Sequence, residues 1–393
     1  MIVFEELYKE FEATRDVCDF YHKYCNGSVS IRFLLIRSLE KRDLREIISL
    51  YSDVEPQPKS KFEELCKLAY NSRVSVEQLV HYIESKRSEV ISKREKEVEG
   101  LSEVLSSIPV VNCGIKNDKI DDVVKRFARD KSIKTYDMLI ETLDNSMFQR
   151  FRKYCLWSYY NQTANDIIEL YVLRHPKIIP TLRKIHNIDF FINLNGDIIP
   201  FDLKMTVVSD EYFNLASKGI VAKKSSPDDY SIKESAPSEL EVIREYYERY
   251  RKAHKDLKLR APGKRTKYEL ISEIESFNTK DSKAFLKKIT SNHQKLVPNN
   301  STELKKLEWW NYKFQGERLF CNNNRFYIFL AYKSLFVDGH ALKSKTTEIG
   351  KQITALLDSI DKTSIHIIKY HYDKEDIYKN DYKALSISTI YTE

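Results

Sequence analysis

The chain has 393 residues, 42% of them hydrophobic and 31% charged, with 65 Lys and Arg against 58 Asp and Glu for a net charge of +7. That length supports one large domain or two to three ordinary ones, and the mild basic excess suits a polyanionic partner without demanding one. No segment is apolar for long enough to span a bilayer, and the N-terminal MIVFEELYKEFEATRDV lacks the basic start and apolar run of a secretion signal; no membrane association is expected, and the cytoplasm is the expected compartment.

Residues 1–105 read as helix after helix, with Leu65, Leu68 and Ala69, then Val76, Leu79, Val80 and Ile83 at helical spacing. Between these two groups Ser75 is the expected N-cap and Gln78 its capping-box partner, so residues 61–85 form either a helix-turn-helix or an ordinary helical hairpin. The run 86–100 alternates in charge and fits a solvated helix face. Pro109 and Gly114 break the periodicity over 106–119, and helix resumes from Ile120 to about Arg174. A hairpin over 187–206 and an ambiguous stretch to about Pro237 follow. Residues 238–318 read as a second charged, mainly helical block. The end returns to strands at 325–333, 364–372 and 384–391, with a helix over 346–360. Strands flanked by helices predict an α/β core divided as 1–105, a helical N-terminal region with possible DNA recognition; 106–237, the first part of the core; 238–318, a basic helical insertion; and 319–393, the remaining strands and helix.

The hairpin, NIDFFINLNGDIIPFDLKMT over 187–206, carries the chemistry. With Asn195-Gly196 as a two-residue turn, Ile192 faces Ile199, Phe190 faces Phe201 and Ile188 faces Leu203 on one side. The same register sets Asp189 opposite Asp202 on the other side, with Cβ atoms about 4.5–5.5 Å apart. Opposed like charges destabilise a sheet unless something positive lies between them, and carboxylates suit a hard divalent ion such as Mg²⁺. Lys204, two residues beyond Asp202, projects from the same face. Two carboxylates, a cation and an ammonium match metal-assisted hydrolysis of a phosphodiester, with the lysine orienting or deprotonating the water.

Asp189, then Asp202-Leu203-Lys204 in the next strand, resembles the PD-(D/E)XK nuclease superfamily, and the size and inserted helical blocks are most similar to type II restriction endonucleases. The likeness covers about 20 residues closely and roughly 100 by arrangement, with Ile188 in place of the proline that often precedes the first acid. It implies a mixed central sheet of four to five strands flanked by helices, and Mg²⁺-dependent cleavage of double-stranded DNA. A further acid on the preceding helix is implied as well. Here Asp166 and Glu169 are the candidates, and Glu169 is preferred because it sits among Ile167, Ile168, Leu170 and Val172. The expected catalytic set is Asp189, Asp202, Lys204 and Glu169, with the metal on the three acids. Cleavage of both strands of a palindrome predicts a homodimer, and a companion DNA methyltransferase is the expected partner of a restriction enzyme.

Arg249, Arg251, Lys252, Lys255, Lys258, Arg260, Lys264, Arg265 and Lys267 stand against Asp256 alone, a candidate phosphate footprint. Lys223 and Lys224 are weaker candidates. The aromatic stretches 154–160 and 309–314 fit a core better than base stacking. Cys18, Cys25, Cys66, Cys113, Cys155 and Cys321 form no CxxC pair, the histidines no HxxxH or HxH pair, and no P-loop is present; a zinc site, a disulfide scaffold and a nucleotide-driven motor are excluded. A DNA-binding regulator built on residues 61–85, and a repair or defence nuclease outside restriction, are the alternative functions.

Overall fold

In the computed structural model the described residues are 3–13, 17–24, 28–108, 125, 128–144, 149–216, 219–232, 239–263, 265–292, 297–315, 323–333, 339–374 and 378–393. The sequence break at Pro109 and Gly114, and Lys264 of the basic run, fall outside them. Among the described residues no helix is long and apolar enough to cross a membrane.

The protein is α/β. Its strands are β1 (Ile178–Ile185), β2 (Ile188–Leu194), β3 (Asp197–Val207), β4 (Ile220–Ala222), β5 (Tyr230–Ile232), β6 (Arg325–Ala331), β7 (His366–Tyr372) and β8 (Asn380–Thr392). Six of them form one sheet in the order β1-β2-β3-β6-β8-β7, one more than the upper end of the expected range, and β4 pairs with β5 apart from it. β3, β6 and β8 run parallel and the outer pairs antiparallel, so the sheet is mixed.

The turn chemistry sets the hairpin as expected. Asn195 has φ 56° and Gly196 φ 92°, both in the left-handed region that a type I′ turn requires. The Gly196 N–H donates to Asn193 Oδ1 at 2.9 Å, and Phe190 pairs with Phe201 and Ile192 with Ile199. The strand β1 is absent from the sequence reading. Its register shifts between Pro180 and Ile185, and a proline in a strand belongs at an edge or a bulge, which is where β1 places it.

β6, RFYIFLA, is buried at every position, as a central strand covered on both faces must be. Phe326, Ile328 and Leu330 join a cluster that runs from Phe4 to Ile387 and includes Tyr159, Tyr160, Ile168, Ile349 and Ile353. The Gln149–Leu173 and Thr346–Ser359 helices and the N-terminal helices are therefore built onto the sheet through one continuous core. Tyr327, Phe329 and Ala331 point the other way, against Leu307, Trp309, Trp310 and Tyr312 of the Ser301–Lys313 helix. That helix lies in the block expected to be an insertion, yet it covers a sheet face. The rest of the block keeps a small core of its own, with Ile243, Tyr247, Tyr250, Leu270 and Ile274.

The Ser75–Gln78 capping box forms in both directions, at 3.2 and 2.8 Å. The helix that it starts, Val76–Ser85, buries Leu79, Tyr82 and Ile83 and exposes Glu77, Gln78 and His81.

The two helices over the first face meet closely at Gly350, where a Cβ would lie 2.5 to 2.6 Å from the Tyr171 ring. Gly350→Ala is therefore expected to cost about 1–3 kcal/mol by overpacking, although alanine is the better helix former. Urea denaturation should show a lower midpoint with an unchanged slope, and an unchanged or raised midpoint would refute this packing.

Candidate functional site

The site starts from the acids of the hairpin. The β2–β3 ladder runs from Leu194 and Asp197 down to Phe190 and Phe201, and the next residues are Asp189 and Asp202. Their carboxyl groups are close enough for each to affect the other's titration. Asp189 Oδ2 accepts the backbone N–H of Leu203 at 2.8 Å. The Asp202 N–H donates to the Asn324 carbonyl at 2.9 Å, and buried Asn324 also donates to Pro200 O at 3.1 Å and accepts from the Leu385 N–H at 3.1 Å. Asn324 thus locks β3 and β8 together at the level of the acid.

Parallel pairing then sets Arg325 beside Asp202 and Tyr327 beside Lys204. The Arg325 guanidinium, 2% exposed, lies 3.6 Å from the Asp202 carboxylate, donates to Tyr327 Oη at 3.3 Å and packs against the rings of Tyr312 and Tyr327. Burial and the neighbouring Asp189 push the Asp202 carboxyl up to about 6 in spite of Arg325 and Lys204. Burial also raises Asp189, opposed by the Leu203 N–H and by Lys184 and Arg94.

Glu169 is brought to the same neighbourhood. Burial raises its pKa, and Asp189 adds to that, while Arg94, Lys184 and Lys131 oppose it. Its carboxylate is held by Arg94 at 2.7 Å. Asp166, the other candidate, is engaged by Gln162 at 2.9 Å and by Lys131. Among the described residues no three His, Cys, Asp or Glu side chains are gathered closely enough to hold a metal ion; the acids that the hairpin sets side by side are Asp189 and Asp202. Such a pair fits Mg²⁺, which typically takes one or two carboxylates and keeps its waters.

Several participants escaped the sequence. Lys343, on a 3₁₀ turn over Gly339–Ser344, is buried, donates to Asn161 Oδ1 and is pushed down to about 7 by burial and by nearby Lys204. Arg94, Lys184 and Arg325 come from separate parts of the chain, and nothing in their local sequence separates them from surface cations.

The basic run divides. Arg249, Lys252, Lys255, Lys258 and Arg260 are exposed. Arg251 pairs with Glu248 at 2.6 Å, Arg265 with Glu273, and buried Lys267 with Asp210 at 2.6 Å. His366 bridges the buried carboxylate of Glu308 at 2.7 Å and Ser301 Oγ at 2.6 Å, which pins the Ser301–Lys313 helix to β7; His371 pairs with Asp381 at 2.6 Å. Cys18, Cys66 and Cys155 are free and buried. Comparison with known proteins returns no matching family model, no similar curated protein and no similar solved structure.

An acid whose folded pKa lies above its unfolded value binds more protons when folded, so stability falls as pH rises between the two values. For Asp202 that window runs from 3.8 to about 6, with a loss of up to about 3 kcal/mol. In metal-free buffer, Asp189→Asn is expected to shrink this loss, because it removes one of its two causes. Urea titrations at pH 4, 5, 6 and 7 measure it, and equal pH slopes for both proteins would show that the acids do not interact.

Proposed function

We propose that the protein is a Mg²⁺-dependent endodeoxyribonuclease of restriction type, hydrolysing phosphodiester bonds of double-stranded DNA at a specific site. The observation that carries the reading is the hairpin geometry that sets two half-buried acids side by side: Asp189 and Asp202 follow the Phe190–Phe201 pair, Asp189 Oδ2 accepts the Leu203 N–H at 2.8 Å, and Lys204 stands two residues beyond Asp202 on the same strand. The mixed sheet flanked by helices, with the acids on adjacent hairpin strands, agrees with the resemblance to PD-(D/E)XK nucleases.

Asp189 and Asp202 would hold the ion, and Glu169 with Arg94 would extend the acidic wall beside them. Bound there, Mg²⁺ would supply neutralisation of the phosphate charge and a more acidic water. Lys204 orients the attacking water and offers a proton acceptor or donor as the pentavalent state forms. Arg325 fixes the Asp202 carboxylate, and Tyr312 and Tyr327 keep solvent from it. A homodimer would present two such sites to the two strands, and a methyltransferase of the same specificity would protect the host.

Purified protein incubated with unmethylated plasmid and phage DNA is expected to give discrete fragments with Mg²⁺ and none with EDTA. Asp202→Ala should abolish cleavage, and Lys204→Ala should lower it by about 10²–10³-fold. Mg²⁺ should also raise the melting temperature of wild type but not of Asp189→Asn, since a ligand stabilises only the state that binds it. Intact DNA under every condition, with binding retained, would favour a DNA-binding regulator. Cleavage without discrete fragments would favour a nuclease outside restriction.

A further inference from the structure

We infer that the cleft beside Asp189 is the track for the sugar-phosphate backbone of the DNA, and that Lys93, Arg183 and Lys184 hold phosphates flanking the one that is cut. The inference rests on the nuclease reading of Asp189, Asp202 and Lys204. It places the strand path on the N-terminal helices and not on the basic run 249–267.

The cleft has a volume of about 450 Å³ and lies between the Arg87–Val98 helix, the residues that open the Lys41–Tyr51 helix, and β1. Glu169 and Asp189 line it, so it opens directly on the acidic wall. Carboxylates alone would repel a polyanion, and the approach requires cations at the margin. Lys93, Arg183 and Lys184 also line the cleft, and all three are exposed.

These cations differ from an ordinary charged surface in how they are placed. Among the described residues none of them forms an ion pair with a carboxylate, whereas Arg42 at the same cleft is engaged by Glu89 at 3.5 Å and Asp43 at 3.8 Å. Lys184 is close enough to the acids to oppose the rise in pKa of both Asp189 and Glu169. The Arg183 guanidinium lies 3.9 Å over the Phe62 ring, and its backbone N–H donates to the Ser38 carbonyl at 2.6 Å. A stacked guanidinium is pre-organised, with its N–H edge free to take a phosphate in bidentate fashion. The bulge between Pro180 and Ile185 is what turns this pair of cations out of the ladder. The Arg87–Val98 helix buries none of its residues, which leaves Lys93 on a surface that a partner can cover.

The test measures anisotropy of a short fluorescent duplex in EDTA, where nothing is cleaved, across a range of salt. For the triple variant Lys93→Ala, Arg183→Ala, Lys184→Ala, affinity is expected to fall by about 30-fold or more at low salt, with a plot of log K against log salt shallower by roughly two to three. Lys184→Glu should weaken binding more than Lys184→Ala. The Mg²⁺-induced rise in melting temperature should survive in the triple variant, which shows that it is folded and that its carboxylates are intact. Wild-type affinity and salt slope in the folded triple variant would overturn the cleft assignment, whatever the cleavage assay gives. Weakened binding in the variant, together with a wild type that never cleaves, would keep the cleft as a nucleic-acid groove and sink the nuclease reading alone.

Discussion

The site depends on one constraint: Asp189 and Asp202 face each other in a hairpin whose register cannot slip. The left-handed pair Asn195 and Gly196 sets that register, and a shift of one residue would exchange the acids with Phe190 and Phe201, both fully buried. Opposed acids destabilise a strand pair, so the surroundings hold them from every side. The Leu203 N–H reaches Asp189, and the guanidinium of Arg325 stands by Asp202. Arg325 is in turn a buried charge that would be costly without Asp202. The acid and the base are each the condition for burying the other.

This interdependence explains what could be read from the sequence. The hairpin was legible because its information is local: a two-residue turn, strict alternation, and a register that follows by counting from Asn195-Gly196. The parallel partner was not. Arg325 opens a strand that was recognised as a strand, yet its position beside Asp202 depends on a crossover more than a hundred residues long, and no local pattern encodes such a register. β1 was lost for a related reason. Its IIPTLRKI carries a proline and two cations, which read as a break when judged alone, whereas an edge strand with a bulge tolerates all three. The Ser301–Lys313 helix was placed in the insertion because its charges resemble those of its neighbours, and only its buried Leu307, Trp309, Trp310 and Tyr312 show that it belongs to the sheet.

Charge counting misleads in a similar way. The basic run looks uniform in sequence, but Arg251, Arg265 and Lys267 are spent on Glu248, Glu273 and Asp210 inside the fold. The Lys267–Asp210 pair anchors the small Ile243–Leu270 core to the segment after β3, while Arg251 and Glu248 pair within one helix. Lys93, Arg183 and Lys184 are unremarkable in sequence, each beside other charged residues, and acquire meaning from the cleft that gathers them. Net charge therefore does not say which cations stand at the surface, and the fold decides that.

The buried acids also tie cation binding to protonation. If the acids hold a divalent ion as proposed, both must be ionised to serve as ligands, and because Asp202 keeps its proton up to about 6, affinity for the ion would rise with pH through that range. Lys343, beside Lys204, is pushed down to about 7 and loses its charge just above the point at which Asp202 gains its own. Moving from mildly acidic to neutral pH therefore adds negative charge on the ligand side of the site and removes positive charge beside Lys204. Both changes would act in the same direction, favouring a cation at Asp189 and Asp202, and both follow from the burial of the ionisable groups concerned.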